Sequence, residues 1–344
     1  MNRRVDHKSP LTHSNWYILG PGAIGTLWAS RFLTHNIPVS LICRTQQSAH
    51  SLSQGFTLEN QQSSTRFSPH CVTSDHLSQP CEHVLITCKA HQTMDALHSI
   101  GQFIRPTTHL VLLQNGIGVA SQIHTQYPDN PLILGITNDA AYRKTNNHIH
   151  HVATGDTWFG AWETPRDNAS NGSNNNPNNN LQKTSTSADH SPTPHPTIDS
   201  LRTIGGRLAE LSPKGQWDGN IMRRVWQKFA INCAINGLTV LYQCKNGQLL
   251  DQGPKQQHLQ RICTEIDQII AANDQALEPP IYESAVNIAK QTALNYSSML
   301  QDSKNNKALE IDYLNGYLCT IADQKNLACE ENRALTQQLN RRAK

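Results

Sequence analysis

Residues 16–25, WYILGPGAIG, carry the reading that sets the architecture: an apolar run from Trp16 to Leu19 breaks into Gly20, Gly22 and Gly25 at GxGxxG spacing. The run predicts a buried strand turning sharply into a helix, with a separate steric duty for each glycine. Gly20 permits the tight turn, Gly22 lets the backbone approach a pyrophosphate, and Gly25 lets the helix lie against the strand. Pro21, Ala23 and Ile24 complete a turn whose free amides and helix dipole favour an anion. Any glycine-rich turn can match this spacing by chance, so the flanks matter. TLWASRFLTHN after Gly25 carries apolar residues at helical spacing, and VSLIC after Pro38 reads as a second strand. From Trp16 to Arg44 this is a βαβ unit of about 30 residues, as a dinucleotide-binding Rossmann unit requires.

At the end of the second strand an NAD-preferring site would place an acid against the ribose hydroxyls, and here Arg44 stands instead, followed by Thr45 and Gln46. A guanidinium can fork onto a 2'-phosphate that an acid would repel, so NADPH is expected rather than NADH. The plainer alternative is a solvated cation at a strand end.

A chain of 344 residues is long enough for two domains with sizeable cores. The net charge of +3, from 29 basic and 26 acidic residues, creates no field that would draw nucleic acid or a membrane surface, and small-molecule partners are expected. Nine cysteines are scattered with neither a CxxC pair nor a Cys/His cluster at zinc spacing, which fits a cytoplasmic protein without a disulfide scaffold or structural metal. Of the 17 histidines, His150 and His151 are strand neighbours that face opposite ways, and His190 and His195 fall in a low-complexity stretch; no metal site is expected. Residues 1–15 are polar, lack the apolar core of a secretion signal and read as a flexible extension. No apolar run reaches the ~18 residues of a membrane span.

Further strands are predicted at HVLITC (83–88), HLVLLQ (109–114) and PLILGI (131–136), alternating with helix-like segments as in a doubly wound parallel sheet. The alternation in HIHHVATGDTWFGAW (148–162) predicts a hairpin that extends one sheet edge. Residues 163–197, rich in Asn, Ser and Pro and nearly devoid of large apolar side chains, read as a disordered insertion. Its two NxS sequons, at Asn168 and Asn171, carry no weight in a cytoplasmic protein. DSLRTIGGRLAELS is helix-like, GQWDG is a short strand, and from Asn220 the periodicity is helical almost to the end, with breaks near Asn246, Gly253 and Pro279–Pro280. An α/β Rossmann-type domain (16–219) followed by an all-α domain (220–344) is therefore expected.

The first helix of the second half, IMRRVWQKFAINCAINGL, places Lys228, Asn232 and Asn236 four residues apart, on one face of an otherwise apolar helix. A helix that apolar is buried, so its narrow polar stripe lines a cleft or, more plainly, forms a solvated edge. A lysine and two amides in a cleft can hold a carboxylate and protonate an oxygen.

At this point a resemblance becomes specific. The chain resembles the ketopantoate reductase (2-dehydropantoate 2-reductase) family through GPGAIG (20–25), CR (43–44), TCKAHQ (87–92), QNGIG (114–118), WQKFAINCAIN (226–236), KNGQL (245–249), NYSSMLQD (295–302) and EIDYLNG (310–316), in family order. The resemblance implies reduction of a 2-keto acid by NADPH, with Lys228 as proton donor and Asn232, Asn236, Asn246 and Ser298 holding the substrate; Asn295 matches a further polar position on that wall. Lys89, Asn115 and Ala141 match cofactor-contacting positions, with Lys89 and Asn115 at strand ends where ligands bind in such sheets. Glu310 matches a carboxylate where cofactor and substrate meet, placed either to accept a hydrogen bond from the substrate's terminal hydroxyl or to orient Lys228. Three departures from the family pattern bear on pocket shape: His91 replaces a frequent aromatic, Asp139 a histidine and Gly237 a proline. They keep open a paralogue acting on another branched 2-keto acid, and a non-catalytic NADPH-binding regulator is the remaining alternative. The oligomeric state is not legible in the sequence.

Overall fold

The computed structural model describes residues 15–114, 117–162 and 198–342. Most of the extension, the 163–197 insertion, Asn115, His190 and His195 lie outside the described residues. β1 (Trp16–Leu19) is buried along its length, as a central strand covered on both faces must be. It pairs in parallel with β2 (Val39–Cys43) on one side and with β6 (Cys81–Ile86) on the other. β7 (Ile104–Leu113) and β8 (Leu132–Thr137) continue the parallel set beyond β6, and β5 (His70–Thr73) closes the far edge beside β2. β11 (Thr157–Ala161) runs antiparallel to β8, and β12 (Gly215–Trp217) completes eight strands in the order β12-β11-β8-β7-β6-β1-β2-β5.

A second sheet of four strands, β4 (Ser64–Phe67), β3 (Phe56–Glu59), β10 (His148–Ala153) and β9 (Ala140–Thr145), lies over α1 (Ala23–Thr34). The helix is thus covered from both sides, and every residue from Gly25 to Phe32 is buried. Sequence periodicity foresaw neither this sheet nor the burial of Arg31 that it causes.

The expected hairpin over 148–162 does not form. Its halves join different sheets, β10 between β3 and β9 and β11 beside β8. Gly155 sits between them so close to Asn138 that a Cβ would fall 2.3 Å from the Asn138 carbonyl, and the crossing chain is pinned by the Asn138 amide on the Asp156 carbonyl at 2.8 Å. Alternation along a strand identifies its two faces; it does not identify its partner.

α5 (Ile198–Glu210) covers β11 and β12 and tolerates Gly205 because the Trp217 ring occupies the space a Cβ would take, 2.2 Å away. Beyond β12 the described chain is helical: α6 (Ile221–Tyr242), a 3-10 turn (Asn246–Leu250), α7 (Pro254–Ala271), α8 (Ile281–Gln291), α9 (Ser298–Lys304), α10 (Asn315–Gln324) and α11 (Glu330–Arg342). α6 is the axis of this bundle, with α7, α8, α9 and α11 packed around it. Among the described residues no helix is long and apolar enough to cross a membrane.

Candidate active site

The glycine turn has the local geometry its sequence demands. Gly20 adopts φ +84°, a left-handed conformation closed to most side chains. A Cβ on Gly25 would lie 2.4 Å from Thr87 Oγ1 and 2.8 Å from the Gly20 carbonyl, so α1 reaches β1 only because that atom is missing. A Cβ on Gly22 would meet nothing nearer than the Gly20 carbonyl at 3.9 Å, which leaves open space above the turn. The first amides of α1, at Ala23, Ile24 and Gly25, have no preceding helical turn to bond. Arg143 of β9 donates to the Pro21 carbonyl, and its buried Nε has no partner among the described residues. Nothing in the local sequence announced this cation. Arg44 stands exposed at the end of β2.

A cleft of about 790 Å³ separates the α/β half from the helices. Its walls include Ile24 of α1, Ala141 of β9, Lys228, Asn232 and Asn236 of α6, Asn246, Asn295 and Ser298. All six residues expected to contact substrate therefore share one cavity with the first turn of the glycine-loop helix. Four-residue spacing aligns the three on α6; Asn246 arrives at the start of the 3-10 turn and Asn295 and Ser298 at the entry to α9, the two segments held together by the Asn246 amide on the Asn295 carbonyl (3.0 Å) and Asn246 Nδ2 on Thr292 Oγ1 (2.9 Å). Asn246 is buried, and its Oδ1 has no partner among the described residues. Ser297 caps α9 through the Leu300 amide (3.1 Å) and bonds Thr239 Oγ1 (2.6 Å), presenting its neighbour Ser298 to the cleft.

Lys228 Nζ donates to the Thr137 carbonyl at 2.5 Å. Burial lowers its pKa to about 8, and the Asp139 carboxylate acts in the opposite direction. Asp139 is itself enclosed. Its Oδ2 accepts from Arg31 (2.8 Å) and Thr137 Oγ1 (2.9 Å), its Oδ1 accepts from the Gly155 amide (3.1 Å), and His151 Nε2 lies 3.5 Å away. Burial alone would raise the Asp139 pKa, but His151, Arg31 and these donors outweigh it and hold it at about 2.

Lys228 donates to the Thr137 carbonyl, and among the described residues no hydrogen bond joins it to Glu310. Glu310 instead accepts from the Ala90 amide at 3.0 Å, capping α3 (Ala90–Ser99) where the helix dipole favours a carboxylate. It also lies 3.6 Å from Lys89 Nζ, which donates to Asp302 of α9. Burial disfavours the Lys89 charge, but the two carboxylates prevail and raise its pKa. Lys89 is thus engaged across the joint between the halves, away from the walls of the large cleft.

Of the three departures from the family pattern, only Asp139 belongs to the cleft wall, and it does so through its backbone, since its side chain has no exposed surface. A Cβ on Gly237 would approach Leu335 (2.8 Å) and Ile311 (3.2 Å), so that glycine serves helix packing rather than pocket shape. His91 follows Ala90 on α3 and is absent from the cleft walls. His148 and His150 face Glu59 while His151 faces Asp139, as strand alternation predicts. Gln114, Thr292 and Ser297 also line the cleft, although no spacing singled them out.

Comparison with known proteins agrees with this geometry. The family model described as ketopantoate reductase PanE/ApbA matches residues 16–164, and its C-terminal counterpart matches residues 220–343. The chain is 29% identical over 329 residues to the 2-dehydropantoate 2-reductase of Shigella flexneri, covering 94% of each. It is 27% identical over 316 residues to that of Pyrococcus horikoshii, covering 92% of this chain and 93% of the relative. Among solved structures, 2-dehydropantoate 2-reductase from Methylococcus capsulatus superposes with a TM-score of 0.74 at 20% identity, covering 96% of this chain and 97% of the other. D-mandelate dehydrogenase with NADH and anilino(oxo)acetate superposes with a TM-score of 0.77 at 18% identity, covering 96% and 98%.

Proposed function

Because the chain belongs to the ketopantoate reductase family, we propose that it reduces 2-dehydropantoate to (R)-pantoate with NADPH, in the cytoplasmic synthesis of pantothenate and coenzyme A. The observation that carries this reading is the single cleft shared by Ile24 of the glycine-loop helix, the Lys228 ammonium and the amides of Asn232, Asn236, Asn246 and Asn295. The residues present fit a dinucleotide: open space over Gly22, unbonded amides at the start of α1, and the exposed Arg44 at the end of β2. Gly20, Pro21, Gly22, Ala23, Ile24 and Gly25 would cradle the pyrophosphate and Arg44 the 2'-phosphate. A bound reduced nicotinamide supplies the hydride for the keto carbon.

This chain's own side chains supply binding and the proton. The asparagine amides and Ser298 hold the carboxylate and hydroxyl of the substrate, and the buried, unpartnered Asn246 Oδ1 is an acceptor suited to a hydroxyl. Lys228 faces the carbonyl oxygen, stabilises the negative charge that grows there and delivers its proton, then regains one from water. With a pKa of about 8 it stays charged at neutral pH yet gives up its proton more readily than an ordinary lysine. Glu310 and Lys89 couple the amino end of α3 to the helical half, beside the positions assigned to the cofactor.

The second reading is a reductase of a bulkier branched 2-keto acid. Tyr142, Val152, Leu294 and Tyr296 favour it, since all four are exposed and all four line the cleft. Purified protein with NADPH and ketopantoate, followed at the cofactor absorbance with NADH and other 2-keto acids in parallel, separates the two. The highest kcat/KM is expected for ketopantoate with NADPH; a larger keto acid in first place establishes the second reading. Tight NADPH binding without turnover of any keto acid refutes both and leaves a regulator.

A further inference from the structure

We propose that Asp139 is a positioning residue for Lys228: its carboxylate fixes the Thr137 carbonyl that receives the Lys228 ammonium, and its negative charge keeps that ammonium protonated within the cleft. The inference rests on the reading of Lys228 as proton donor.

The geometry forms a closed linkage. Thr137 offers its carbonyl to Lys228 Nζ at 2.5 Å, and its own hydroxyl donates to Asp139 Oδ2 at 2.9 Å while accepting from the Asp139 amide at 3.1 Å. Residues 137–139 are thereby locked at the end of β8, with Thr157 Oγ1 of β11 holding the same hydroxyl from the neighbouring strand at 2.8 Å. The carboxylate cannot swing away, because Arg31 from α1 and the Gly155 amide hold its two oxygens and its side chain has no exposed surface.

The charges facing this pair come from few places. Arg31 and His151 face Asp139 from α1 and β10. The Asp139 carboxylate acts on the Lys228 ammonium against the effect of burial. Arg224, one turn earlier on α6, is paired with Asp218, and Asp302 of α9 is paired with Lys89. The other polar groups on the cavity walls around Lys228, including Gln114, Asn232, Asn246 and Ser298, are neutral. A desolvated amine in such surroundings sheds its proton unless an anion is near, and a general acid without its proton is inactive. Burial takes the Lys228 pKa down to about 8, and Asp139 is the group that resists the fall.

The test uses the full-length protein and the pair variant Asp139→Asn/Arg31→Leu, which removes the near anion without leaving an orphaned buried cation. Lysine labelled with 13C at Cε is titrated by NMR in the ligand-free protein, with Lys228→Met assigning the signal. The Lys228 midpoint is expected to fall by roughly half a pH unit or more. The alkaline limb of kcat/KM for ketopantoate is expected to move with it, a loss of about threefold at pH 9. A second pair variant, Asp139→Asn/Arg31→Gln, keeps two neutral hydrogen-bonding side chains in the same buried space and is expected to lower the midpoint in the same way, so the test stays decisive where the first pair does not fold. An unmoved Lys228 midpoint in a folded variant, even with a lowered rate, overturns the proposal and leaves Asp139 a structural anchor. The titration needs no turnover, so a wild-type protein inert toward ketopantoate refutes the functional reading alone, while the NMR still decides the coupling.

Discussion

Replacing Lys228 with methionine is expected to stabilise this protein at neutral pH while nearly abolishing turnover. Burial pulls the ammonium from the ordinary 10.5 to about 8. At about 1.36 kcal/mol per pH unit, keeping it charged at pH 7 costs the fold about 3 kcal/mol. Methionine removes that cost but strands the Thr137 carbonyl, which loses its donor at 2.5 Å and about 1–2 kcal/mol with it. The net gain expected at pH 7 is about 1–2 kcal/mol. The sign then changes with pH. Because the folded pKa lies below the unfolded one, the native wild type releases its proton first and recovers stability between about pH 8 and 10.5. Near the top of that window only the lost hydrogen bond distinguishes the two proteins, and the variant becomes the weaker. Urea unfolding of both at pH 7 and pH 10 measures the crossover. Turnover of the variant is expected to fall about 100-fold or more, the scale of a lost general acid. A variant that is less stable at pH 7, by an amount independent of pH, would falsify the picture of a desolvated ammonium, and undiminished turnover would remove Lys228 from the chemistry.

Arg44→Ala is expected to raise the KM for NADPH far more than that for NADH; equal changes in steady-state assays would contradict a 2'-phosphate contact. Gly205 and Gly206 should respond oppositely to alanine. Nothing lies within 4 Å of a Cβ on Gly206, so Gly206→Ala should gain about 0.5–1 kcal/mol from helix propensity. Gly205→Ala drives a methyl into the Trp217 ring and should lose about 1–3 kcal/mol. Urea midpoints of the same sign would show that the α5 packing is wrong. Asn315 is fully buried and donates to the Cys233 carbonyl at 3.0 Å and to Asn332 Oδ1 at 2.8 Å, tying α10 to α6 and α11. Asn315→Ala should cost about 2–3 kcal/mol by stranding both acceptors, and a loss below about 0.5 kcal/mol would mean that water reaches them.

What the sequence determined by itself was local. The duties of Gly20, Gly22 and Gly25 are steric demands within a single turn, and the Lys228-Asn232-Asn236 stripe follows from helix pitch, so both could be read without knowing any neighbour. Asn246, Asn295 and Ser298 were legible through family resemblance alone, since Asn246 opens a 3-10 turn, Asn295 and Ser298 sit at the entry to α9, and no period connects either segment to α6. The partners of charged and polar groups were decided only by the tertiary structure. Arg31 and Asp139 are 108 residues apart, and no spacing rule foretells that a second sheet will bury the arginine or that Thr137 will bond both Asp139 and Lys228. Glu310 and Lys89 meet for the same reason, as does the division of residues 148–162 between two sheets. Periodicity records which side of an element turns from water; which surface receives that side is set by packing among segments distant in the chain.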